Sequence, residues 1–208
     1  MDTAIITPIF NEDKKIIVRC LESVARQTHS CDHYIYLDGD QGIDNNIFSS
    51  YPKLKIFSGN ISFNDSGDTP RSILGTIILR HNYKHVHMLD IDNYLLDKSI
   101  EFINNYAEEK KLEIIFSNRV IVENDRYVNE NNTNLNYVDM NCISFHNLGI
   151  RCLKFLNYIP KELNQIDDRI LSQIIKNNNI SYDYFKKNTV IYENKWGNTK
   201  KKLLKKDI

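Results

Sequence analysis

The chain has 208 residues, enough for one domain with a sizeable hydrophobic core. Lys and Arg together number 27, as do Asp and Glu, so no overall field favours nucleic acid or an anionic membrane as a partner. The four cysteines lack CxxC and Cys/His metal spacing, so we expect reduced thiols in a cytoplasmic protein. We predict no transmembrane segment and no signal peptide, because no apolar run is long enough and no basic leader precedes the first one.

The first half of the chain alternates predicted strands and helices. The apolar run Ala4–Ile6 predicts a strand that ends at Thr7, and Asn11 predicts the N-cap of a helix that continues to about Gln27. The elements predicted next are strands at Tyr34–Leu37 and Leu54–Phe57, a helix from Pro70 to about His81, and a strand at His85–Leu89. This order predicts an α/β fold with a mostly parallel central sheet. Ligands bind beyond the carboxyl ends of such strands, so we expect the polar strand ends to converge on one crevice.

The second half is less regular. Its predicted elements are a helix around Ile100–Tyr106, strands at Glu113–Phe116 and Val120–Val122, an extended stretch at Tyr137–Phe145, a helix at Ile166–Ile175 and a strand at Thr189–Tyr192. An asparagine-rich loop covers Asn129–Asn136. The lysine-rich tail from Lys195 to Lys206 is either a solvated terminus, a clamp over a diphosphate, or a contact with an anionic membrane surface.

Two aspartates, Asp90 and Asp92, follow the apolar run Val86–Leu89. If the strand continues through them, their side chains lie on one side, because strand side chains alternate. Two carboxylates at a strand end can hold a divalent cation, which can hold a diphosphate, although such a pair can also cap a helix. By the same alternation, His85 and His87 face the other side, and we interpret them as packing residues rather than zinc ligands.

The opening segment Ala4–Glu12, together with Cys20–Val24 and Gln27-Thr28, resembles the start of the GT-A-fold, family-2-like glycosyltransferases. The resemblance continues, in the order of that family, through Leu37–Asp40, Arg71 and Gly75, Leu89–Asp92 and Asp167–Leu171. The short chain also resembles the compact glycosyltransferase domains of large chloroviruses. The resemblance implies one GT-A domain over residues 1–208, with a nucleotide-sugar-binding half at 1–95 and a smaller, irregular acceptor-side lobe at 96–208.

A family member of this kind moves a sugar, with inversion, from a nucleotide-diphospho-sugar to a hydroxyl of a glycan or glycoconjugate. A UDP-sugar is the donor we expect, because the family's aspartate at Asp38 accepts a hydrogen bond from uracil N3. The nucleotide-sugar-binding residues that the resemblance implies are Thr7, Pro8, Phe10, Asn11, Asp38, Arg71, Asp90, Ile91 and Lys195. Phe10 stands where the family often has tyrosine, so it keeps an aromatic wall and loses a hydroxyl.

The resemblance also implies a metal site and a general base. Mn²⁺ or Mg²⁺ is expected at Asp92, with Asp90 nearer the ribose or a bound water. Asp168 is the expected base for the acceptor hydroxyl and Asp167 orients the acceptor, although carboxylates are favourable at any helix start. The family's C-terminal histidine has no counterpart in Tyr192–Trp196. The third metal ligand is therefore left open between water and the side chains of Glu193, Asn194 and His146.

Two alternatives come from other functional classes. Asp90 and Asp92 resemble the nucleophile and acid/base of a haloacid-dehalogenase-like phosphatase. That loop normally opens its fold, whereas about 85 residues with their own strand–helix pattern precede it here. The other alternative is a non-catalytic nucleotide-sugar-binding module, or a transferase domain that needs neighbouring transferase domains.

Overall fold

The structure, a computed structural model, describes residues 2–40, 42–123, 126–130 and 138–193. In chain order the strands are β1 (Thr3–Ile9), β2 (Asp32–Asp38), β3 (Leu54–Gly59), β4 (His85–Met88), β5 (Tyr94–Leu95), β6 (Ile114–Glu123), β7 (Arg126–Glu130), β8 (Ile143–His146) and β9 (Tyr182–Glu193). The α-helices are α1 (Lys14–Ala25), α2 (Asp68–Ile78), α3 (Ser99–Lys110) and α4 (Asp167–Asn177). Short 3₁₀ segments cover Asn45–Phe48, Met140–Cys142, Asn147–Tyr158 and Lys161–Ile166.

The described strands form one sheet in the order β3-β2-β1-β4-β8-β6-β9-β5, and β7 pairs with β6. Strands β3, β2, β1 and β4 are mutually parallel, as expected where helices connect successive strands. Antiparallel β8 then joins β4 to β6, and β9 runs parallel to β6. The predicted α/β class with a mostly parallel central sheet is confirmed.

Alternation along the strands divides the core into two layers. The even-numbered side chains of β1, including Ile6, pack with α2, α4 and the Asn147–Tyr158 segment in one cluster. The odd-numbered side chains, including Ile5, pack with α1 and the start of α3 in another. Helices therefore cover both faces, and the carboxyl ends of the parallel strands remain accessible at one edge of the sheet.

The turn after β1 differs from its prediction. Strand β1 continues through Pro8 to Ile9. Proline has no backbone N–H to donate, and it is tolerated at position 8 because β4 pairs with β1 only as far as Ile6. Helix α1 then begins at Lys14, and its N-cap position is Asp13. The prediction of an N-cap at Asn11 was wrong, because Asn11 adopts the left-handed conformation with φ 57°.

Strand β4 ends at Met88, so Asp90 and Asp92 lie in the turn that follows it. Strand alternation therefore does not place both carboxylates on one side, and that premise was wrong. In the second half, the two strands predicted between Glu113 and Val122 form the single strand β6. The strand predicted at Thr189–Tyr192 is the end of β9, which has 12 residues.

Several further expectations can be placed on the structure. The predicted extended stretch after Tyr137 contains the 3₁₀ segment Met140–Cys142 before β8 begins. Most of the asparagine-rich loop and the whole lysine-rich tail lie outside the described residues. The four cysteines are all buried, and none of them forms a disulfide with another. No helix in the described part of the chain combines the length and the apolar character needed to cross a membrane.

Candidate active site

The ends of β1, β2 and β4 and the loop before α2 enclose a cleft of about 380 Å³. Its walls contain the predicted residues Pro8, Phe10, Asp38, Arg71, Asp90, Ile91 and Asp92, joined by Glu12, Asn64, Asp65, Ser66 and Gly67. The polar strand ends thus meet at one crevice, as the topology of a parallel sheet requires. A second cavity of about 240 Å³, beside Cys31 and Tyr51 at the far end of β2, contains none of the predicted site residues.

Arg71 is the central cation of this region and is only 6% exposed. Its guanidinium donates to Asp90 Oδ1 at 2.5 Å and to Asp68 Oδ1 at 3.1 Å, and it lies 3.8 Å from Asp167 Oδ2. These carboxylates raise the pKa of Arg71 further above its usual value, although burial works in the opposite direction. Arg71 therefore joins the turn after β4, through a charge-assisted hydrogen bond to Asp90, to the start of α4, through an ion pair with Asp167.

Asp90 is held from its other side by Asn141. Asn141 Nδ2 donates to Asp90 Oδ2 at 2.8 Å, and Asn141 Oδ1 accepts the Asp90 backbone N–H at 2.5 Å. Asn141 also donates to Asp139 Oδ1 at 2.7 Å, and Asp139 in turn pairs with Arg119. Both carboxylate oxygens of Asp90 are thus engaged, whichever ligand the cleft takes.

Asp38 and Phe10, which the resemblance implies contact the nucleotide, both line the cleft. Asp38 is 2% exposed and accepts hydrogen bonds from Phe63 N at 2.9 Å and Ser62 Oγ at 3.2 Å. An ionised carboxylate has about four lone-pair sites and only accepts hydrogen bonds. Phe10 is 46% exposed on the cleft wall, so one face of its ring is open to the cleft.

Carboxylates dominate the wall near Asp92. Burial, and then the charges of Asp92 and Asp90, raise the pKa of Glu12 to about 7, despite the hydrogen bond that it accepts from Phe10 N–H. The Asp92 carbonyl accepts from Arg19, and Arg19 also pairs with Glu193. Through Arg19, Glu193 is therefore linked to the turn that carries Asp92. A third metal ligand would have to lie near this turn.

This donor set fits Mn²⁺ or Mg²⁺. Hard divalent cations prefer oxygen ligands, and Mg²⁺ is commonly held by one or two carboxylates together with the phosphates of a substrate. Asp92, beside Glu12 and Asp90, provides negative charge of the right kind. Within residues 2–40, 42–123, 126–130 and 138–193, no group of three or more His, Cys, Asp or Glu side chains forms a preassembled metal cage. A cation here would accordingly depend on ligand oxygens as well.

Asp167 and Asp168 open α4, as the sequence predicts. Asp167 is 8% exposed and points toward Arg71, whereas Asp168 is half-buried. Burial, followed by the charge of Asp167, raises the pKa of Asp168 to about 6. Burial and a hydrogen bond with Asp167 likewise raise the pKa of Asp68. Asp168 therefore has a carboxyl that is basic for an aspartate but still ionised at neutral pH.

Asp167 and Asp168 are not part of the cleft wall, and neither are several other predicted residues. Thr7 is fully buried and hydrogen-bonds His33 Nε2 at 2.8 Å on the α1 side of the sheet. Asn11 is exposed in the turn before α1. His146 contacts His85 at the far end of β4 from Asp90, so it cannot complete a metal site at Asp92. Lys195 and Asn194 lie outside the described residues.

The histidines of β4 are packing residues, as interpreted from the sequence. His87 is hydrogen-bonded by Ser144 Oγ at 2.8 Å and Asn104 Oδ1 at 3.0 Å, and His85 lies 2.8 Å from His146. Burial, together with the charge of His85, lowers the pKa of His87 to about 3. These imidazoles are neutral components of the sheet–α3 interface.

Sequence reasoning missed several residues of the site. Glu12 was assigned to a helical turn, and Asn141 carried no recognisable signal. The loop before α2 did carry one, because Ser66-Gly67 is a turn dipeptide. Gly67 has φ 87°, and a Cβ there would lie 2.9 Å from Pro8 Cγ. Glycine is thus required at this point for both backbone conformation and close approach to β1.

No family model matches the chain, and no curated protein matches its sequence. Solved structures do match its fold. S. aureus TarS 1–349 in complex with UDP-GlcNAc superposes with a TM-score of 0.76 at 18% identity, over 95% of this chain and 60% of that one. The same TarS fragment in complex with UDP gives 0.75 at 17% identity, over 93% and 60% of the two chains.

A more distant match is the mannosyltransferase PcManGT from Pyrobaculum calidifontis, in complex with GDP-Man and Mn²⁺. Its TM-score is 0.66 at 10% identity, over 94% of this chain and 58% of that one. The chain therefore spans about three fifths of the length of the solved structures described above. Together with the strand order and the cleft at the strand ends, these likenesses show that the chain has the GT-A glycosyltransferase fold.

Proposed function

We propose that this chain is an inverting glycosyltransferase that moves a sugar from a nucleotide-diphospho-sugar to an acceptor hydroxyl. The observation that carries the proposal is the cleft itself. Residues from three strand ends and from α2, among them Phe10, Asp38, Arg71 and Asp90, line one crevice in a GT-A fold. Proteins of the same fold have been solved with UDP, UDP-GlcNAc and GDP-Man. Binding of a nucleotide-sugar at this edge is what the topology favours.

A UDP-sugar suits the nucleotide end best. The uracil ring would stack on the exposed face of Phe10, and its N3–H would donate to the Asp38 carboxylate, which as an ionised group only accepts hydrogen bonds. The diphosphate would lie toward Arg71 and Asp92. Arg71 has a permanent charge and a planar fork that matches phosphate oxygens. Its Nη1 and Nη2 groups already donate to Asp68 and Asp90, so a diphosphate bound there would share these donors.

Mn²⁺ or Mg²⁺ would be held by Asp92, with Asp90 and Glu12 nearby. When bound, the cation neutralises charge on the diphosphate leaving group. The chain's own contribution is to orient the donor between Asp38 and Arg71, since both side chains are almost fully buried and fixed by hydrogen bonds.

Asp168 is the proposed general base. The acceptor oxygen attacks the anomeric carbon, the bond from that carbon to the diphosphate oxygen breaks, and the acceptor proton passes to Asp168. A single displacement of this kind inverts the anomeric configuration. The raised pKa of about 6 makes Asp168 a better proton acceptor than an ordinary aspartate while leaving it ionised at pH 7. Asp167, fixed by Arg71, would orient the acceptor.

The haloacid-dehalogenase alternative is not supported. Asp90 follows the fourth strand of a GT-A fold, and its two carboxylate oxygens are bound to Arg71 and Asn141 rather than free for attack on phosphorus. The extent of the domain as residues 1–208, the glycan acceptor, any neighbouring transferase domains and a location in the cytoplasm or at a membrane surface stay predictions. The chain covers only part of its structural neighbours, so a required partner domain is a specific alternative to independent activity.

Calorimetric titration with UDP tests the donor site. We expect binding in the presence of Mn²⁺ and weaker binding in EDTA, with GDP as the matched nucleotide control. Hydrolysis of a panel of UDP-sugars with Mn²⁺ then identifies the sugar. Failure to bind any nucleotide would contradict the proposal, whereas tight UDP binding without hydrolysis or transfer would favour the non-catalytic module.

A further inference from the structure

We propose that Asn141 is a positioning residue that holds Asp90 in its working orientation from the opposite half of the chain. Asn141 is 5% exposed and is not part of the cleft wall, so it acts through Asp90 rather than by touching a ligand. Its consequence for donor binding rests on the proposed function. The orientation of Asp90 itself can be tested without any nucleotide.

Asn141 fixes both the backbone and the side chain of Asp90. Its Oδ1 accepts the Asp90 N–H at 2.5 Å, while its Nδ2 donates to Asp90 Oδ2 at 2.8 Å. Arg71 holds Oδ1 of the same carboxylate at 2.5 Å. Held at its amide and at both oxygens, the Asp90 carboxylate cannot rotate about its side-chain bonds without breaking a hydrogen bond.

The position of Asn141 is itself fixed. Its own N–H and its Nδ2 both donate to Asp139 Oδ1, at 2.9 Å and 2.7 Å, and Asp139 caps the 3₁₀ segment Met140–Cys142. Arg119 on β6 pairs with the other oxygen of Asp139. The chain of contacts therefore runs from β6 through Asp139 and Asn141 to the end of β4.

Only an amide satisfies this arrangement. Two carboxylates, Asp90 and Asp139, face the Nδ2 group, and a backbone N–H faces Oδ1, so the side chain must donate twice and accept once. An aspartate at position 141 would only accept, and would place a third carboxylate beside the other two. A smaller residue would leave the Asp90 N–H without its acceptor.

The first experiment measures amide hydrogen exchange at Asp90 by NMR, in the wild type and in Asn141→Ala. We expect exchange to be about fivefold to tenfold faster in the variant, the effect of losing one hydrogen bond. The matched control is Asn157→Ala, an exposed asparagine in another 3₁₀ segment, which should leave exchange at Asp90 unchanged. Unchanged exchange at Asp90 in Asn141→Ala would overturn the inference.

The second experiment is a double-mutant cycle on the affinity for UDP with Mn²⁺. Asn141→Ala should weaken binding about tenfold, Asn141→Asp should weaken it more, and Asn141→Ala in an Asp90→Ala background should add nothing. Additive losses would show that Asn141 acts independently of Asp90 and would overturn the inference. Thermal unfolding of each variant, and of Asn141→Ser as a second short side chain, separates positioning from folding. If neither short variant folds, Asn141 belongs to the core and the inference is wrong.

The two proposals fail in different ways. A wild-type chain that binds no UDP contradicts the proposed function, and the exchange experiment still decides whether Asn141 holds Asp90. A wild-type chain that binds UDP, with equal affinity in Asn141→Ala, contradicts the role of Asn141 alone.

Discussion

The two halves of the chain build their parts of the site in different ways. In residues 1–95, β1, β2 and β4 run parallel and deliver Pro8, Asp38 and Asp90 to the same edge through backbone topology. In the described part of residues 96–208, the 3₁₀ segment Met140–Cys142 contains Asn141 and another leads to Asp167; side-chain hydrogen bonds hold Asn141 in place, and an ion pair with Arg71 holds Asp167. The residues from the first half are thus positioned by sheet register, and those from the second half by a network of charges and hydrogen bonds around Arg71 and Asp90.

This difference predicts different consequences of substitution. A residue at a strand end can lose its side chain while the strand stays in place, because the backbone ladder is intact. A residue of the charge network leaves its partners buried and unbalanced when it is removed. Substitutions at the strand ends should therefore affect binding, and those at Arg71 should also affect folding.

The largest effect is expected at Asp168. Asp168→Asn should lower kcat by about 10²- to 10⁴-fold, the usual contribution of a general base, with little change in the affinity for UDP. Steady-state kinetics and UDP calorimetry on the same preparation separate the two effects. Asp97→Asn, at an exposed aspartate, is the matched control. A kcat close to the wild-type value in Asp168→Asn would contradict its role as base.

The role of Asp168 as general base also predicts how kcat depends on pH. With the pKa of Asp168 raised to about 6, the group is protonated below that pH and cannot accept the acceptor proton. The kcat should therefore rise as the pH increases from 5 to 7 and level off above 7.

The next largest effect is expected on stability at Arg71. Arg71→Ala leaves Asp68, Asp90 and Asp167 close together without their cation, and should lower the free energy of unfolding by about 3–5 kcal/mol. Urea denaturation measures this loss. Arg26→Ala, at an exposed arginine after α1, should change stability by less than about 0.5 kcal/mol. If Arg71→Ala lowered the free energy of unfolding no more than Arg26→Ala does, the charge network would not join the two halves of the chain.

A smaller effect is expected at Phe10. Removal of the ring in Phe10→Ala should weaken UDP binding by about 1–3 kcal/mol, the range for stacking of one base on an aromatic side chain. Stability should hardly change, because Phe10 is 46% exposed. Tyr127→Ala, at a ring 69% exposed on β7, is the control. If Phe10→Ala and Tyr127→Ala bind UDP with equal affinity, the uracil ring does not stack on Phe10.

The smallest effect per residue is expected from the buried histidines. Burial lowers the pKa of His33 and of His87 to about 3, whereas the unfolded chain binds these protons near pH 6.5. The stability that they support is complete above pH 6.5 and is lost as the pH falls. As the pH falls from 7 to 6, each histidine should lower the free energy of unfolding by about 0.7 kcal/mol, measured by urea denaturation. A conservative His33→Gln variant should make the free energy of unfolding less dependent on pH in this range. An unchanged pH dependence would contradict the lowered pKa of His33.

The first half could be predicted from sequence because its signals are local. Apolar runs, helical repeats and polar strand ends lie within a few residues of one another, so Asp38 and Asp90 could be placed at one edge from topology, whereas Arg71 was expected there only from the family resemblance. The failures in this half were also local. Asn11 has a left-handed backbone that a cap-like residue also tolerates, and β4 stops two residues before Asp90.

The other half resisted prediction because its decisive contacts are long-range. Asn141 lies 51 residues from Asp90 in sequence, and no spacing rule links an isolated asparagine to a distant carboxylate. From its local sequence, Glu12 was placed in the first turn of the predicted helix. Its charge matters because β1 and β4 are neighbours in the sheet, which brings Glu12 near Asp90 and Asp92. The 12 residues of β9 were only partly recognised, because charged and polar residues at Asp183 and 186–188 interrupt the first part of the strand.

The contact between Gly67 and Pro8 has an evolutionary consequence. The two residues come from different elements, yet a Cβ at position 67 would reach 2.9 Å from the Pro8 ring. Substitution at either site therefore changes the space available to the other. Among descendants of this sequence, position 67 should remain glycine wherever position 8 is proline. A smaller residue at position 8 would relieve only the close approach, because the φ of 87° favours glycine at position 67 in any case.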